Sequence, residues 1–288
     1  MNKPTIAVIG SGVVGVTTGN SLKNKAHSII YIDDSEDKIK ALKNKKLIAF
    51  HTKNKLERTP DIFFICTPTP TKKNGTDISS ILKSCQYIIK NRSTSKYFIV
   101  AIRSTVSVGT NKKIVDFFVS HNLINGIDFD IVSFPEFLRE KTSTKDSIKP
   151  RLIVIGSQSK KVKNIFNKLY KDFKVKIYFI KPEEAELQKY IHNIYNATKI
   201  SFFNEFREVS LRLGINPDVI FPIVSISAEA SWNKKYGIKN LGPFTGKCLP
   251  KDSEGFLRYI KNEKNMEMKI LNAVIQVNNK CLKENGKK

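Results

Sequence analysis

The chain has 288 residues, 40% hydrophobic and 26% charged. That is the make-up of a globular protein with a sizeable core and, at roughly 150 residues per domain, about two domains. No apolar run approaches the roughly 20 residues that cross a bilayer, and Met1-Asn-Lys-Pro-Thr5 leads into a strand pattern and not a signal sequence, so a cytoplasmic protein is expected. The formal net charge of +24 attracts polyanions, but the lysines are spread through nearly every segment. With no RNA-binding aromatic motif, zinc finger or recognition helix, no specific nucleic acid and no membrane partner is expected. Cys66, Cys85, Cys248 and Cys281 are scattered without a Cys-x-x-Cys pair, which argues against a metal site and against a disulfide framework.

Thr5-Ile-Ala-Val-Ile9 predicts a strand. It feeds into Gly10-Ser-Gly12-Val13-Val14-Gly15, a helical segment to about Lys25, a second strand over Ser28 to Ile32, and then Asp33. Strand, GxGxxG, helix, strand and acid together form the full context of a dinucleotide site. Gly10 makes the tight turn, Gly12 admits the pyrophosphate and Gly15 lets helix pack on strand. The helix start at Val13 and Val14 offers N–H groups to phosphate. Asp33 is placed to bind ribose hydroxyls and favours NAD over NADP, because a carboxylate repels a ribose phosphate. Lys38 reads either as an adenosine-ribose contact or as a solvated helix lysine.

The alternation continues through a strand over Ile62 to Cys66 ending in Thr-Pro-Thr69-Pro, a helix from about Ser79 to Lys90, and a strand over Tyr97 to Ile102 ending in Arg103-Ser-Thr105. A short strand over Asp130 to Ser133 precedes Phe134-Pro-Glu136-Phe137-Leu138-Arg-Glu140. Leu152 to Ile155, a helix near Lys160 to Tyr170, and Lys174 to Ile180 follow. Repeated strand-helix units imply an α/β fold, a Rossmann-like doubly wound parallel sheet, with ligands beyond the carboxyl ends of the strands. Thr69, Thr105 and Glu136 fall at such ends.

The pattern changes after Pro182. No glycine or proline occurs from Glu183 to about Leu213, and apolar residues recur at helical period. About thirty residues predict a rod of roughly 45 Å, long enough to bridge domains or subunits. The expected organisation is a dinucleotide-binding domain over 1–181 and an all-helical domain over 182–288, with a homodimer formed through the long helix. Lys189 and Asn193, four apart, share one face of that helix. Helices are also expected from Pro217, near Ser253 to Lys261 and near Met266 to Cys281.

Gly242-Pro-Phe244-Thr-Gly246-Lys-Cys248-Leu-Pro-Lys-Asp252 sets a thiol among glycines and lysines with a carboxylate four positions on. Ammonium groups favour a thiolate, and an aspartate can position water or a proton. The competing reading is a flexible loop around a buried cysteine that behaves as a small hydrophobe.

Over nearly its whole length the chain resembles the UDP-glucose/GDP-mannose dehydrogenase family. The resemblance rests on Ile6–Gly15, Cys66–Pro70, Ser104–Thr110, Pro135–Glu140, Glu186–Asn193, Lys199–Glu205 and Cys248–Asp252 in one order. It implies oxidation of a nucleotide-sugar primary alcohol to a carboxylate with two NAD molecules in succession, UDP-glucose being the expected substrate. Cys248 then matches the nucleophile that forms a thiohemiacetal and a thioester, and Lys189 and Asn193 match a pair opposing charge on the sugar oxygen. Thr105, Glu136 and Asp252 match positions that organise water and proton transfer. Phe137, Leu138 and Glu140 match a substrate loop to which Phe244 and Gly246 add, and Thr69, Thr105 and Glu140 match cofactor contacts.

The chain departs from the family pattern at Phe134 for asparagine, Lys141 for glycine and Thr245 for the first of two glycines. Trp232 stands near the place of an expected arginine, and a further nucleotide-binding domain usual in members is not found before Lys288. Two other readings are a hydroxyacid dehydrogenase of the 6-phosphogluconate type, which needs no cysteine, and an NAD-binding assembly protein with little activity.

Overall fold

Residues 3–73, 75–238 and 242–285 are described by the structure, a computed structural model. In chain order, β1 (Thr5–Ile9), α1 (Val13–Leu22), β2 (Ser28–Asp33), α2 (Glu36–Asn44), β3 (Ile48–His51) and β4 (Ile62–Ile65) precede a hairpin of β5 (Thr71–Lys72) and β6 (Gly75–Thr76). Then come α3 (Ser79–Asn91), β7 (Phe98–Ile102), α4 (Thr110–Val119), β8 (Phe129–Ser133), α5 (Ser143–Ile148), β9 (Ile153–Gly156), α6 (Lys160–Leu169) and β10 (Ile177–Ile180). The remainder is helical: α7 (Pro182–Arg212), α8 (Pro217–Ser227), α9 (Glu229–Trp232), α10 (Cys248–Lys264) and α11 (Lys269–Asn285). The chain forms two compact units, Met1–His192 and Asn193–Lys288, so the division falls inside α7.

The first unit is built on an eight-stranded sheet of order β10-β9-β8-β7-β4-β1-β2-β3. Its strands pair in parallel except where β8 meets β9 at Ser133 and Gly156. Alternate residues of the same strand enter opposite cores, because successive side chains in a strand point to opposite faces. Ile6 and Val8 of β1, Phe64 of β4 and Ala101 of β7 join one core, closed by Leu22 of α1, Ile39 of α2 and Phe166 of α6. Ala7, Phe63 and Val100 join the other, closed by Ile81 and Ile88 of α3 and Phe118 of α4. A sheet covered on both faces needs near-continuous apolar strands, which is how these segments read. Strands β1, β2, β4, β7 and β8 run the same way, so Gly10, Asp33, Cys66, Arg103 and Phe134 emerge at one carboxyl edge.

Among the described residues the second unit has helices and no strand, with a smaller core of Val209, Ile260, Met266 and Met268, onto which Phe206 and Phe256 stack at 5.9 Å. The long helix forms as the periodicity implied. Helix α10 starts at Cys248, five residues ahead of the expected Ser253, because Pro250 sits in its first turn, where a missing N–H costs nothing. Elements β3 and α5 were not anticipated, and α2, on which Lys38 stands, was expected only through the helix reading of that lysine: α2 is mostly polar, with only Ile39 and Leu42 buried, and no α5 residue is buried. Among the described residues no helix is long and apolar enough to cross a membrane.

Candidate active site

Gly10 has φ of +92°, and a Cβ there would lie 2.8 Å from backbone atoms of Cys66 and Thr67. A Cβ on Gly15 would lie 1.9 Å from the Gly10 carbonyl oxygen. Turn and helix can therefore approach this closely only as glycines. Gly12 faces open space, and α1 begins there with no side-chain cap and no acid in its first turn, leaving N–H groups for an anion. Val13 is exposed and Val14 half-buried at this start.

Asp33 is buried, and its carboxylate accepts from the Ser11 N–H at 2.6 Å, the Ser35 N–H at 3.0 Å and Lys38 Nζ at 3.3 Å. Burial works to raise its pKa, but the two N–H donors and Lys38 together hold it below the ordinary value. Thr67 Oγ1, at the neighbouring end of β4, is buried without a protein partner. A glycine cradle, an open helix start, an ionised acid at the end of β2 and an unsatisfied hydroxyl fit a dinucleotide. Lys38 lies against Asp33, with its ammonium 3.3 Å from both carboxylate oxygens.

At the ends of β4 and β7 the Thr69 hydroxyl donates to the Thr105 carbonyl at 2.7 Å and the Ser104 hydroxyl to the Thr67 carbonyl at 2.5 Å. Glu136, beyond β8, accepts from the Leu138 N–H at 2.5 Å and from Lys189 Nζ at 3.1 Å. The same ammonium donates to the Glu136 carbonyl and lies 5.2 Å from the Phe137 ring centroid. Lys189 is 5% exposed, so its charge is kept in place by paired and aromatic neighbours. The Glu140 side chain lies outside the described residues.

What presents Lys189 is Glu186, one helical turn earlier. Its buried carboxylate accepts from the Gly109 and Asn111 N–H groups at 2.6 and 2.7 Å, capping α4, and from the Ser133 hydroxyl at 3.3 Å. Burial raises its pKa against the pull of those donors. Glu186 and Glu205 stand inside motifs that carry the family resemblance, but nothing local in the sequence assigns either a role. In the second unit Glu205 caps α11 in the same way, through the Ile270 and Leu271 N–H groups at 2.8 and 3.2 Å. Both partners are more than sixty residues away in sequence, out of reach of a local capping signal. Asn193 follows Lys189 by four on α7 and is exposed.

Cys248 is exposed at the first position of α10, whose leading turn has no side-chain cap. Asp252 is exposed one turn on and pairs with Lys251 at 2.7 Å. The loop before the cysteine turns through Gly246 at φ +90°. It is clamped at Phe244, whose N–H donates to Asn278 Oδ1 at 2.7 Å and whose carbonyl accepts from Asn278 Nδ2 at 3.1 Å. Asn278 was not foreseen. Burial pushes the thiols of Cys66 and Cys85 up to about 12, which makes both poor nucleophiles. Of the departures, Phe134 fills an aromatic cluster with Phe64, Phe166 and Tyr170 under the Arg103 guanidinium, and Trp232 is exposed on α9.

The NAD-binding-domain model of the UDP-glucose/GDP-mannose dehydrogenase family matches residues 4–54 and 45–174, and the central-domain model matches 183–280. The chain belongs to this family. A UDP-glucose 6-dehydrogenase of Bacillus subtilis is 31% identical over 96% of this chain and 63% of its own length, and a GDP-mannose 6-dehydrogenase of Pseudomonas savastanoi is 28% identical over 95% and 67%. Among solved structures, a ternary complex of GDP-mannose dehydrogenase from Pseudomonas aeruginosa superposes with a TM-score of 0.86 at 27% identity, covering 96% of this chain and 69% of that one. The chain spans about two thirds of the length of the curated relatives it matches. As in the family, its cofactor is NAD.

Proposed function

We propose that the chain takes part in NAD-dependent oxidation of a nucleotide sugar, with UDP-glucose as substrate, from primary alcohol to carboxylate through a covalent adduct on Cys248. The observation that carries this reading is the buried Lys189 ammonium held on Glu136 at the carboxyl edge of the same sheet that carries the dinucleotide loop. When bound, NAD accepts one hydride in each of the two oxidations. In the first, the alcohol carbon gives up a hydride and its hydroxyl a proton, leaving an aldehyde. Lys189 and the Asn193 amide oppose negative charge developing on the oxygen, as fixed donors do. The Cys248 thiol then adds to the aldehyde carbon, its proton passing to the oxygen, to give a thiohemiacetal.

Loss of a second hydride and of the hydroxyl proton yields a thioester. Water adds at that carbon, the carbon–sulfur bond breaks, and the thiol regains its proton as the acid leaves. Glu136, Thr105 and Asp252 are assigned the water and proton transfers, Phe137, Leu138, Phe244 and Gly246 to the sugar, and Thr69 and Glu140 to the cofactor. Exposed Ile191, Ile194 and Tyr195 on α7 support self-association through the long helix. The same chemistry is consistent with a cytoplasmic protein, where NAD is at hand.

Offering UDP-glucose, GDP-mannose and a 6-phosphogluconate-type hydroxyacid in turn, with NADH followed, tests the substrate. NADH formed with UDP-glucose alone supports the reading. Turnover of the hydroxyacid that survives Cys248→Ala would replace it, and NAD binding with no sugar-nucleotide binding would reduce the chain to a cofactor-binding protein.

A further inference from the structure

The β5–β6 hairpin has no part in the chemistry above, yet it grows from the sheet edge that carries the glycine cradle. Its root is the end of β4, where backbone atoms of Cys66 and Thr67 lie so near Gly10 that a Cβ there would sit 2.8 Å from them. The Thr69 hydroxyl then donates to the Thr105 carbonyl beyond β7 at 2.7 Å. The hairpin pairs Thr71 with Thr76 and Lys72 with Gly75, and the Asp77 N–H closes its foot by donating to the Pro70 carbonyl at 2.9 Å. Two residues per strand, all but Thr76 exposed, do not hold a shape in water by themselves. Among the described residues one side-chain hydrogen bond joins either strand to another element: the hydroxyls of Thr76 and Tyr190 meet at 3.0 Å. Tyr190 is half-buried and directly follows Lys189 on α7. The segment is thereby anchored twice, by Thr69 to the stretch after β7 and by Thr76 to the turn of α7 whose Lys189 is bonded to Glu136.

We propose that Tyr190 is a positioning residue for the cofactor: its hydroxyl latches the hairpin, and the latched hairpin keeps the chain after β4 set beside the glycine cradle for NAD. The Cys66 N–H donates to the Ile9 carbonyl at 2.7 Å, so one end of this segment is fixed by the sheet. The Thr76–Tyr190 bond fixes the other end. Between them stands Thr67, whose buried hydroxyl has no protein partner. A segment held at both ends has less conformational freedom to lose when a ligand settles against it, and the saving appears as affinity. Lys189 is held separately by Glu136 and Phe137, so losing the Tyr190 hydroxyl leaves it in place. The effect therefore falls on NAD binding and not on the hydride step. This inference rests on NAD as cofactor and is independent of which alcohol is oxidised.

Calorimetry of the full chain with NAD, together with hydrogen exchange at the hairpin amides, decides it. Tyr190→Phe removes a single oxygen and keeps the ring. It is expected to weaken NAD binding about fivefold, the measure of one hydroxyl pair, and to speed exchange at the Asp77 amide by a similar factor, with exchange along α7 unchanged. Thr76→Val should do the same, the double variant should lose no more than either single one, and Thr76→Ser should bind NAD as the parent chain does. In turnover, KM for NAD should rise by more than kcat falls. Unchanged NAD affinity in either hydroxyl-deleting variant, unchanged exchange at Asp77, losses that add in the double variant, or a loss in Thr76→Ser as large as in Thr76→Val would each overturn the proposal. A chain that binds NAD with the expected pattern and oxidises no sugar nucleotide refutes the reaction proposed above and leaves the latch standing.

Discussion

In the N-terminal unit the candidate side chains are buried and bonded, with Lys189 held by Glu136 and Phe137, Asp33 by two backbone N–H groups, and Glu186 across the start of α4. In the C-terminal unit Cys248 and Asp252 are exposed on α10, and the loop before them is fixed mainly by Asn278. The difference suits the chemistry proposed above: a charge that opposes a developing oxyanion acts best when its surroundings are arranged in advance, whereas a thiol that attacks and meets water has to be reachable. One unit stores orientation and the other offers access.

Removing the accessible group should have the largest effect. Cys248→Ala is expected to lower turnover to acid on the order of 10⁵-fold while NAD affinity, read by calorimetry, stays within about twofold. Unchanged turnover would take the thiol out of the chemistry. On the preorganised side, Gly15→Ala drives a methyl into the Gly10 carbonyl. It should cost roughly 3 kcal/mol of stability and abolish measurable NAD binding.

The two glutamate caps sharpen the contrast between units. Glu186→Ala orphans two N–H groups at a buried helix start and should cost about 3 kcal/mol in urea unfolding, with loss of activity through Lys189. Glu205→Ala, at a part-buried start, should cost only about 1 kcal/mol. Equal costs would remove the distinction. Glu186 also gives a pH signature with a definite sign. Its pKa is higher in the fold than in the unfolded chain, so its contribution is fully present below the unfolded value and lost as pH rises through the folded one. Glu186→Gln, which does not titrate, should flatten that part of the stability profile. The smallest effect belongs to Asn278→Ala, expected to cost about 1 kcal/mol and to raise KM more than it lowers kcat, since it loosens only the Phe244 turn.

Much of the first unit was legible because its signals are local. β1 and β2 are short apolar runs, and GxGxxG with Asp33 states its own geometry in about thirty residues. The long helix was legible from period and from the absence of Gly and Pro. The capping glutamates were not: Glu186 and Asn111 are 75 residues apart, and no spacing rule joins them. Nor was the early start of α10, since Pro250 reads as a breaker until it is seen to occupy a first turn. Phe134 looked like a missing polar group at the sheet edge. Its ring closes a core with Phe166 and Tyr170, which only the packing of α6 onto the sheet makes visible.

The most direct test of the account is the number of NADH molecules formed per UDP-glucose consumed by the chain. Preorganised charge in one unit and an accessible thiol in the other predict two, with acid as the only released product and a thioester trapped on Cys248 when water attack is slowed. One NADH per sugar, with aldehyde released and no adduct on Cys248, would contradict it.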